Sequence, residues 1–411
     1  MVDQSLSSLS NFGLTLIVAR ETSAAHFGAF ALAYTTYLVV LGVSESVSSD
    51  PLVIRYSDRP RRELRSKISD SMGTSLVVGM LGSATVAAIG VVTGGSVGSA
   101  FVALAVVLPG LTVQDGWRFA FFARREPRAA ALNDLTWCVG QVAAFWWLLA
   151  QGGEHSVFSF VIAWGLGGWL AAGTGVLQAG MLPRPRRAVS WIRSHRNLAG
   201  SLLFDSSMIT GGQQLVSYMI AAVGGLTEVA GYRGAQTLFG PLGTLTMSTQ
   251  IFAIPEGVRI KGRSYAALRL WGFVFTLAMM SVAALWGIGT MLIPTNVGVA
   301  ILGSTWTRAH PLLPLFTVLV VARAAQTAAW IGLRTLDSPR HIVRSRVRSS
   351  PLLIALACGG ALAAGASGAV AGLAVGTIAG ALIWWQQLRS AYREKSGLPL
   401  EGPESSCVRG G

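Results

Sequence analysis

Charge is what this chain has least of. Only 12% of its 411 residues are Asp, Glu, Lys or Arg, about half the share usual in soluble domains. Acidic residues are the scarcer sign, 18 against 32 basic, which leaves a net charge of +14. The three cysteines, Cys138, Cys358 and Cys407, stand far apart and form no pairing or metal pattern. Cys138 and Cys358 sit in apolar runs, as packing residues do. The five histidines, His26, His155, His195, His310 and His341, fall in loops or near the ends of apolar runs, which speaks against a histidine-centred catalytic site. A phosphate-cradling glycine loop and a soluble domain are both missing, so no cofactor, metal or enzymatic activity is expected. No charged segment, short apolar core and small-residue cleavage site precede the first apolar run, so a cleaved signal peptide is not expected. That run starts almost at Met1, and a natural start a few residues earlier stays open.

What the chain has is long apolar runs. The apolar fraction is 52% and mean hydropathy is +0.54. Short alternating segments would announce a β-barrel; these runs announce an all-α polytopic membrane protein. Twelve spans are expected, roughly at 3–20, 26–48, 69–93, 99–123, 129–151, 156–181, 199–223, 229–254, 267–292, 309–332, 351–367 and 369–388.

The charge that is present sorts by side. Alternate loops and the tail hold 27 of the 32 basic residues, and the opposite loops hold only Arg20 and Arg308. The positive-inside rule then puts both termini in the cytoplasm of a plasma-membrane protein. The basic excess is a topology signal, well placed against anionic lipid headgroups and not for nucleic acid. Ser57-Asp58-Arg59-Pro60-Arg61-Arg62 resembles the loop-two signature of major-facilitator transporters, but it lacks the glycines and contains Pro60. A solvated basic loop is the expectation there.

A shift of 203 residues lays Ala230-Gly231-Tyr232-Arg233 on Phe27-Gly28-Ala29-Phe30, and Gln213-Gln214 on Ser10-Asn11. This suggests a parallel repeat of two six-helix bundles, residues 1–181 and 199–388. The basic stretch 182–198 joins them, with Trp191 and Ile192 suggesting a short interfacial helix. A polar tail, 389–411, follows, disordered beyond Tyr392 by composition.

Polar side chains inside the spans are costly unless they face a partner or a water-filled cavity. Asn11 lies mid-span, with Asp3, Gln4, Ser7, Ser8 and Ser10 on the same helix; they line a cavity or hydrogen-bond across a helix contact. Gln114, Asp115 and Arg118 share one turn, the last two at i and i+3, with Asp134 just across the next turn. They either pin spans four and five or form a gate. Asp205 on span seven either couples an ion or pairs with an arginine. Gln213 and Gln214 follow mid-span. Arg233, Gln236 and Gln250 lie on span eight, and Arg323 and Gln326 on span ten. Arg233 either snorkels or faces a cavity, where its planar fork suits a phosphate. Arg323 has no acidic neighbour in sequence, so Asp205, Asp115 or a ligand phosphate must compensate it. Pro109, Pro241, Pro255 and Pro314 fall in or at the ends of spans as kinks or hinges.

The opening VDQSLSSLSNFGLTLIVAR with HFGAFALAYTTYL, the segment QDGWRFAFFARREPRAAALNDLTW (114–137) and the stretch GYRGAQTLFGPL (231–242) resemble Wzx-type polysaccharide and O-antigen flippases. These belong to the MOP superfamily, with MATE exporters and the lipid II flippase MurJ. Many members have fourteen spans, against twelve here. The resemblance implies a MATE-like fold and transfer of a polyprenyl-pyrophosphate-linked sugar across the membrane. It also implies a polysaccharide polymerase and glycosyltransferases as partners. A MATE-like exporter of small cations is the first alternative, and the scarcity of acidic residues speaks against it. A membrane-embedded sugar-modifying transferase is the second; it would need paired acids or a histidine site.

Overall fold

The computed structural model describes residues 2–153 and 155–396, without the side chains of residues 2–10, 209, 210, 251 and 396. The side chains of Asp3, Gln4, Ser7, Ser8 and Ser10, and the tail beyond 396 with Cys407 and Arg409, therefore lie outside the described residues. Every element among the described residues is a helix. Hydrocarbon offers no partner for backbone N–H and C=O groups, so a spanning segment must bond within itself.

In chain order the helices are α1 Val2–Glu21, α2 Ala24–Ser44, α3 Asp50–Tyr56, α4 Arg61–Thr93, α5 Gly95–Ala123, α6 Pro127–Ala150, α7 Val157–Ala179, α8 Ala188–Ser206, α9 Gly212–Leu238, α10 Gly240–Lys261, α11 Tyr265–Met291, α12 Thr295–Leu302, α13 Trp306–Ala309, α14 Leu313–Thr335 and α15 Pro339–Ser396. A π-helical turn, Glu45–Ser49, fuses α2 to α3, and a second, Ser207–Gly211, fuses α8 to α9. Each predicted span lies on helix, and eight stretches are long and apolar enough on their own to cross a membrane.

The ends are set by local chemistry. Ser23, Ser156 and Ser264 cap α2, α7 and α11 by accepting backbone N–H groups. Gly94 (φ 64°) and Gly180 (φ 60°) end α4 and α7 in a backbone region that side chains disfavour. The long α15 breaks at Ala364 and Gly365. Beyond the break it returns along itself. A Cβ on Gly372 would stand 2.6 Å from the Leu356 carbonyl carbon, and one on Gly376 would stand 2.9 Å from Leu353 Cα. Two predicted spans therefore form this one hairpin, closed by glycine.

The basic segments differ from the sequence expectation. Arg55 ends a helix, and Arg61, Arg62, Arg65 and Lys67 open α4. Of the expected basic loop only residues 57–60 are irregular. Arg340, Arg344, Arg346 and Arg348 likewise ride on α15. The stretch 182–198 holds a 3-10 turn, Pro185–Arg187, and the start of α8, which runs on through a π turn into α9 instead of ending as a short interfacial helix. Helices continue past the hydrocarbon, where arginine is a good helix former and can reach headgroups. Residues 295–309, expected as a connection, form α12, a 3-10 turn and α13.

The chain folds into two compact units. One runs through Leu238 and takes in Ile293–Leu312; the other holds Phe239–Leu292 with residues from Leu313 onward. In the first, Leu52, Ile68, Met72, Trp117, Phe121 and Trp191 form a core where α3, α4, α5 and α8 meet. Helices α5 and α7 pack closely because Gly168 and Gly175 accept the Leu111 and Trp117 side chains. In the second, Leu268, Leu333, Trp384 and Leu388 join α11, α14 and the returning arm of α15.

Candidate functional site

The first unit holds a buried cluster of charge. Arg118 on α5 pairs with Asp115, one turn back, and its guanidinium lies 4.0 Å from the Glu45 carboxylate. Asp115 is buried and Arg118 is mostly so. Glu45 begins the π turn, and Asp50, at its far end, lies within electrostatic reach of Glu45 and Asp115. Gln114 donates a 2.8 Å hydrogen bond to Asp134 on α6, and Asp134 also acts on Arg118. Thus Glu45, Asp115 and Asp134 act on one guanidinium, with Asp50 in reach of Glu45 and Asp115.

The π turn is fixed from two sides. Ser48 Oγ donates to the Ser71 carbonyl (2.7 Å) and lies 2.8 Å from Ser75 Oγ. Trp191 donates its indole N–H to the Val47 carbonyl (3.0 Å). Beside it His195 meets the Tyr56 hydroxyl (3.1 Å) and the Trp191 carbonyl (2.8 Å). Burial pushes the His195 imidazole down from its usual range, the bond to the Trp191 carbonyl opposes this, and Arg55 and Lys67 add to the lowering.

A second group gathers around aromatic rings. The Trp164 indole donates to Asn11 Oδ1 at 3.4 Å. Tyr37, Tyr34 and Phe30 of α2 stand around Trp164, with ring centroids 5.0, 5.5 and 6.3 Å away. The Arg233 guanidinium lies 4.5 Å over the Tyr34 ring and donates to Gln236 Oε1 at 2.7 Å. Elsewhere on α2 the Thr36 hydroxyl meets the Tyr218 hydroxyl of α9 at 2.8 Å. Helices α2 and α9 approach this closely because Gly28 carries no side chain against Leu226.

The structure thus joins Asn11, Arg233 and Gln236 through Tyr34 and Trp164, and joins Asp115, Arg118 and Asp134 in the charged cluster. It does not bring in Gln213 and Gln214. Gln213 is exposed, Gln214 half-buried, and neither has a hydrogen-bond partner among the described residues. Asp205 is exposed near the end of α8. Arg323 and Gln326 lie on α14 in the other unit, Arg323 exposed and Gln326 packed toward Gly380. Sequence reasoning missed Glu45, Tyr34 and Trp164. Glu45 carried a signal, being a carboxylate inside an apolar run. The rings carried none, because aromatic residues recur throughout the spans.

No family model matches the chain, and no curated protein matches it. Solved structures do. An inward-facing multidrug resistance MATE family transporter of the MOP superfamily aligns over 96% of this chain and 98% of its own, with a TM-score of 0.69 at 14% identity. The lipid II flippase MurJ in an inward closed conformation aligns over 96% and 89%, with a TM-score of 0.67 at 9% identity. A MOP superfamily transporter from Pyrococcus furiosus, described as having a binding pocket of reversed polarity, aligns over 96% and 94%, with a TM-score of 0.59 at 11% identity. The chain is a polytopic helical membrane protein with the fold shared by MATE transporters and MurJ.

Proposed function

We propose that the chain is a transporter that flips a lipid-linked oligosaccharide, a precursor of a cell-surface polysaccharide, across the cytoplasmic membrane. Both termini lie in the cytoplasm on this reading. Residues 1–181 and 199–388 act as six-helix halves in alternating access, with 182–198 as linker and 389–411 as tail. The observation that carries it is Arg233, held over Tyr34 and against Gln236 beside the Asn11–Trp164 pair. A guanidinium fixed in this way keeps nitrogens for a pyrophosphate, and the amides and hydroxyls nearby suit a sugar. Arg323 and Gln326 are a further phosphate site on α14, and Gln213 and Gln214 are sugar contacts. The cluster of Glu45, Asp115, Asp134 and Arg118 carries the coupling proton or ion, with Asp205 as an accessory group. No covalent step is required. The lipid tail stays in the bilayer, and the polymerase and glycosyltransferases act before and after transport.

One observation favours a second reading. Three carboxylates around Arg118 suit a cationic cargo better than the composition alone suggested, as in a small-molecule exporter. Transbilayer movement of a fluorescent polyprenyl-pyrophosphate oligosaccharide in proteoliposomes separates the two. Protein-dependent movement that falls in Arg233→Ala and in Arg323→Ala supports the flippase and both phosphate sites. Movement lost in one variant alone keeps the flippase and discards the other arginine. No movement, with uptake of a small organic cation instead, replaces this reading with the exporter.

A further inference from the structure

The basic face of the first unit carries a cavity of about 800 Å³ at the start of α4 and the end of α7. Arg62, Arg65 and Arg184 line it with Ser66, and Leu177 and Leu182 form its apolar rim. The site is built rather than a chance of flexible side chains. Arg65 donates to the Gly180 carbonyl at 2.8 Å, which holds it across the gap. The backbone N–H of Arg184 donates to the Ser69 carbonyl at 2.8 Å. Gly73 lets that connection sit on α4, for a Cβ there would stand 2.7 Å from the Arg184 nitrogen. Arg184 also reaches Ser66 at 3.3 Å and Asp70 at 3.9 Å. Arg62 has no ion-pair partner among the described residues.

Depth identifies the occupant. The cavity lies where α7 leaves its apolar stretch, between Ala179 and the basic loop that follows. Leu177 is 81% exposed and Leu182 71%, so its rim offers apolar surface to acyl chains while its wall offers guanidinium groups. A soluble anion would gain nothing from the rim. A zwitterionic lipid would bring a cation against the arginines. The second unit has a counterpart of about 230 Å³, where Arg269 and Arg389 meet Trp271, Trp385 and Tyr392. It lies between α11 and the returning arm of α15, which are the third and sixth spans counted from residue 199. The first cavity lies between the third and sixth spans counted from residue 1.

We propose that the cavity of Arg62, Arg65 and Arg184 binds the phosphodiester headgroup of an anionic phospholipid of the inner leaflet. The apolar rim at Leu177 and Leu182 guides its acyl chains. This site is separate from any transported cargo. It holds α4, α7 and the start of the 180–187 connection to the membrane surface, so the lipid is a resident ligand of the unit. Basic side chains at a membrane surface contribute about 1 kcal/mol each toward anionic lipid, so removing two lowers affinity roughly thirtyfold.

The test is native mass spectrometry of the full chain in detergent, without cargo, titrated with dioleoyl phosphatidylglycerol or dioleoyl phosphatidylcholine. The expected result is preferential retention of phosphatidylglycerol, one fewer tightly held lipid per chain in Arg62→Gln/Arg184→Gln, and full retention in Arg62→Lys/Arg184→Lys. If the neutralised double variant does not fold, Arg62→Glu alone must lose the same lipid. Equal binding of both lipids, an unchanged complement in the neutralised variants, or displacement of the lipid by millimolar inorganic phosphate would each overturn the proposal. Failure of the flippase assay with a positive result here leaves this site standing, and the reverse leaves the cargo reading standing.

Discussion

The indole N–H of Trp191 fills the carbonyl of Val47 across 3.0 Å. Pro51, four residues after Val47, has no N–H to give. A regular α-helix would leave that carbonyl short of its partner, and the chain answers with a π turn and a side chain from α8. The same turn presents Glu45 to Arg118. The helix that joins the two predicted halves is thereby tied to the charged cluster through one hydrogen bond and one bulge, a feature common at functional sites.

Trp191→Phe should keep the packing against Tyr56 and His195 and lose only this bond. The expected cost is about 1 kcal/mol, since a buried carbonyl is left unmade. Trp191→Ala should cost about 3–5 kcal/mol because a cavity opens as well. Melting temperatures of the purified variants check the order. Equal melting of Trp191→Phe and wild type would remove the bond from the account.

His195 makes stability depend on pH. Its folded pKa is lowered by burial and by Arg55 and Lys67, so the unfolded chain takes up a proton that the folded chain refuses. The contribution is fully present above the unfolded value, about 6.5. It is lost as pH falls from there through the folded value. Melting temperature should therefore drop below about pH 6.5, and His195→Gln should flatten that part of the profile. A wild-type profile that is level across the window would contradict the assignment.

Some of this was legible in the sequence. The polytopic all-helical fold was, because long apolar runs survive errors in span ends. Asp115 and Arg118 were legible from their spacing of three, and Gln114 with Asp134 from a short intervening turn. The end of α3 and the start of α4 were not, because hydropathy falls at Arg55 and Arg61 while the chain stays helical. Helix α12 was not, being too short for a span and held by Gly303 against the Arg20 carbonyl, 2.9 Å from where a Cβ would be. Glu45 with Arg118, Asn11 with Trp164 and Tyr34 with Arg233 join residues far apart in the chain, and no local pattern announces such pairs.

Arg118→Ala leaves the carboxylates around it without a cation. Loss of one partner of a buried pair costs about 3–5 kcal/mol. Arg118→Ala/Asp115→Asn should recover more than half of that loss, because the burden is the unpaired carboxylate and not the missing contact. A double-mutant cycle of melting midpoints measures this. Additive losses would show that Arg118 stabilises through packing alone.

Gly28→Ala should be disproportionately harmful for one methyl group. Its Cβ would meet the Leu226 backbone, 2.7 Å from the carbonyl carbon and 3.1 Å from Cα. Backbone atoms cannot swing aside, so α2 and α9 must separate, at roughly 1–3 kcal/mol. Gly13→Ala, where a Cβ meets nothing within 4 Å, is the control and should be neutral or slightly stabilising. Comparable yields and melting points for the two variants would refute the close approach.

Arg233→Lys separates charge from shape. Lysine keeps the positive charge but not the plane that lies on Tyr34, nor the fork that bonds Gln236 while leaving nitrogens for a ligand. Loss of the cation–π contact alone is worth about 0.5–2 kcal/mol. If a pyrophosphate binds there, transport in proteoliposomes should fall about fivefold in Arg233→Lys, and further in Arg233→Ala. Tyr34→Phe, which keeps a ring beneath the guanidinium, should stay close to wild type, whereas Tyr34→Leu should resemble the lysine variant. Transport in Arg233→Lys equal to wild type would mean that charge alone suffices, and that the stacked geometry serves packing of α2 on α9 and not the cargo.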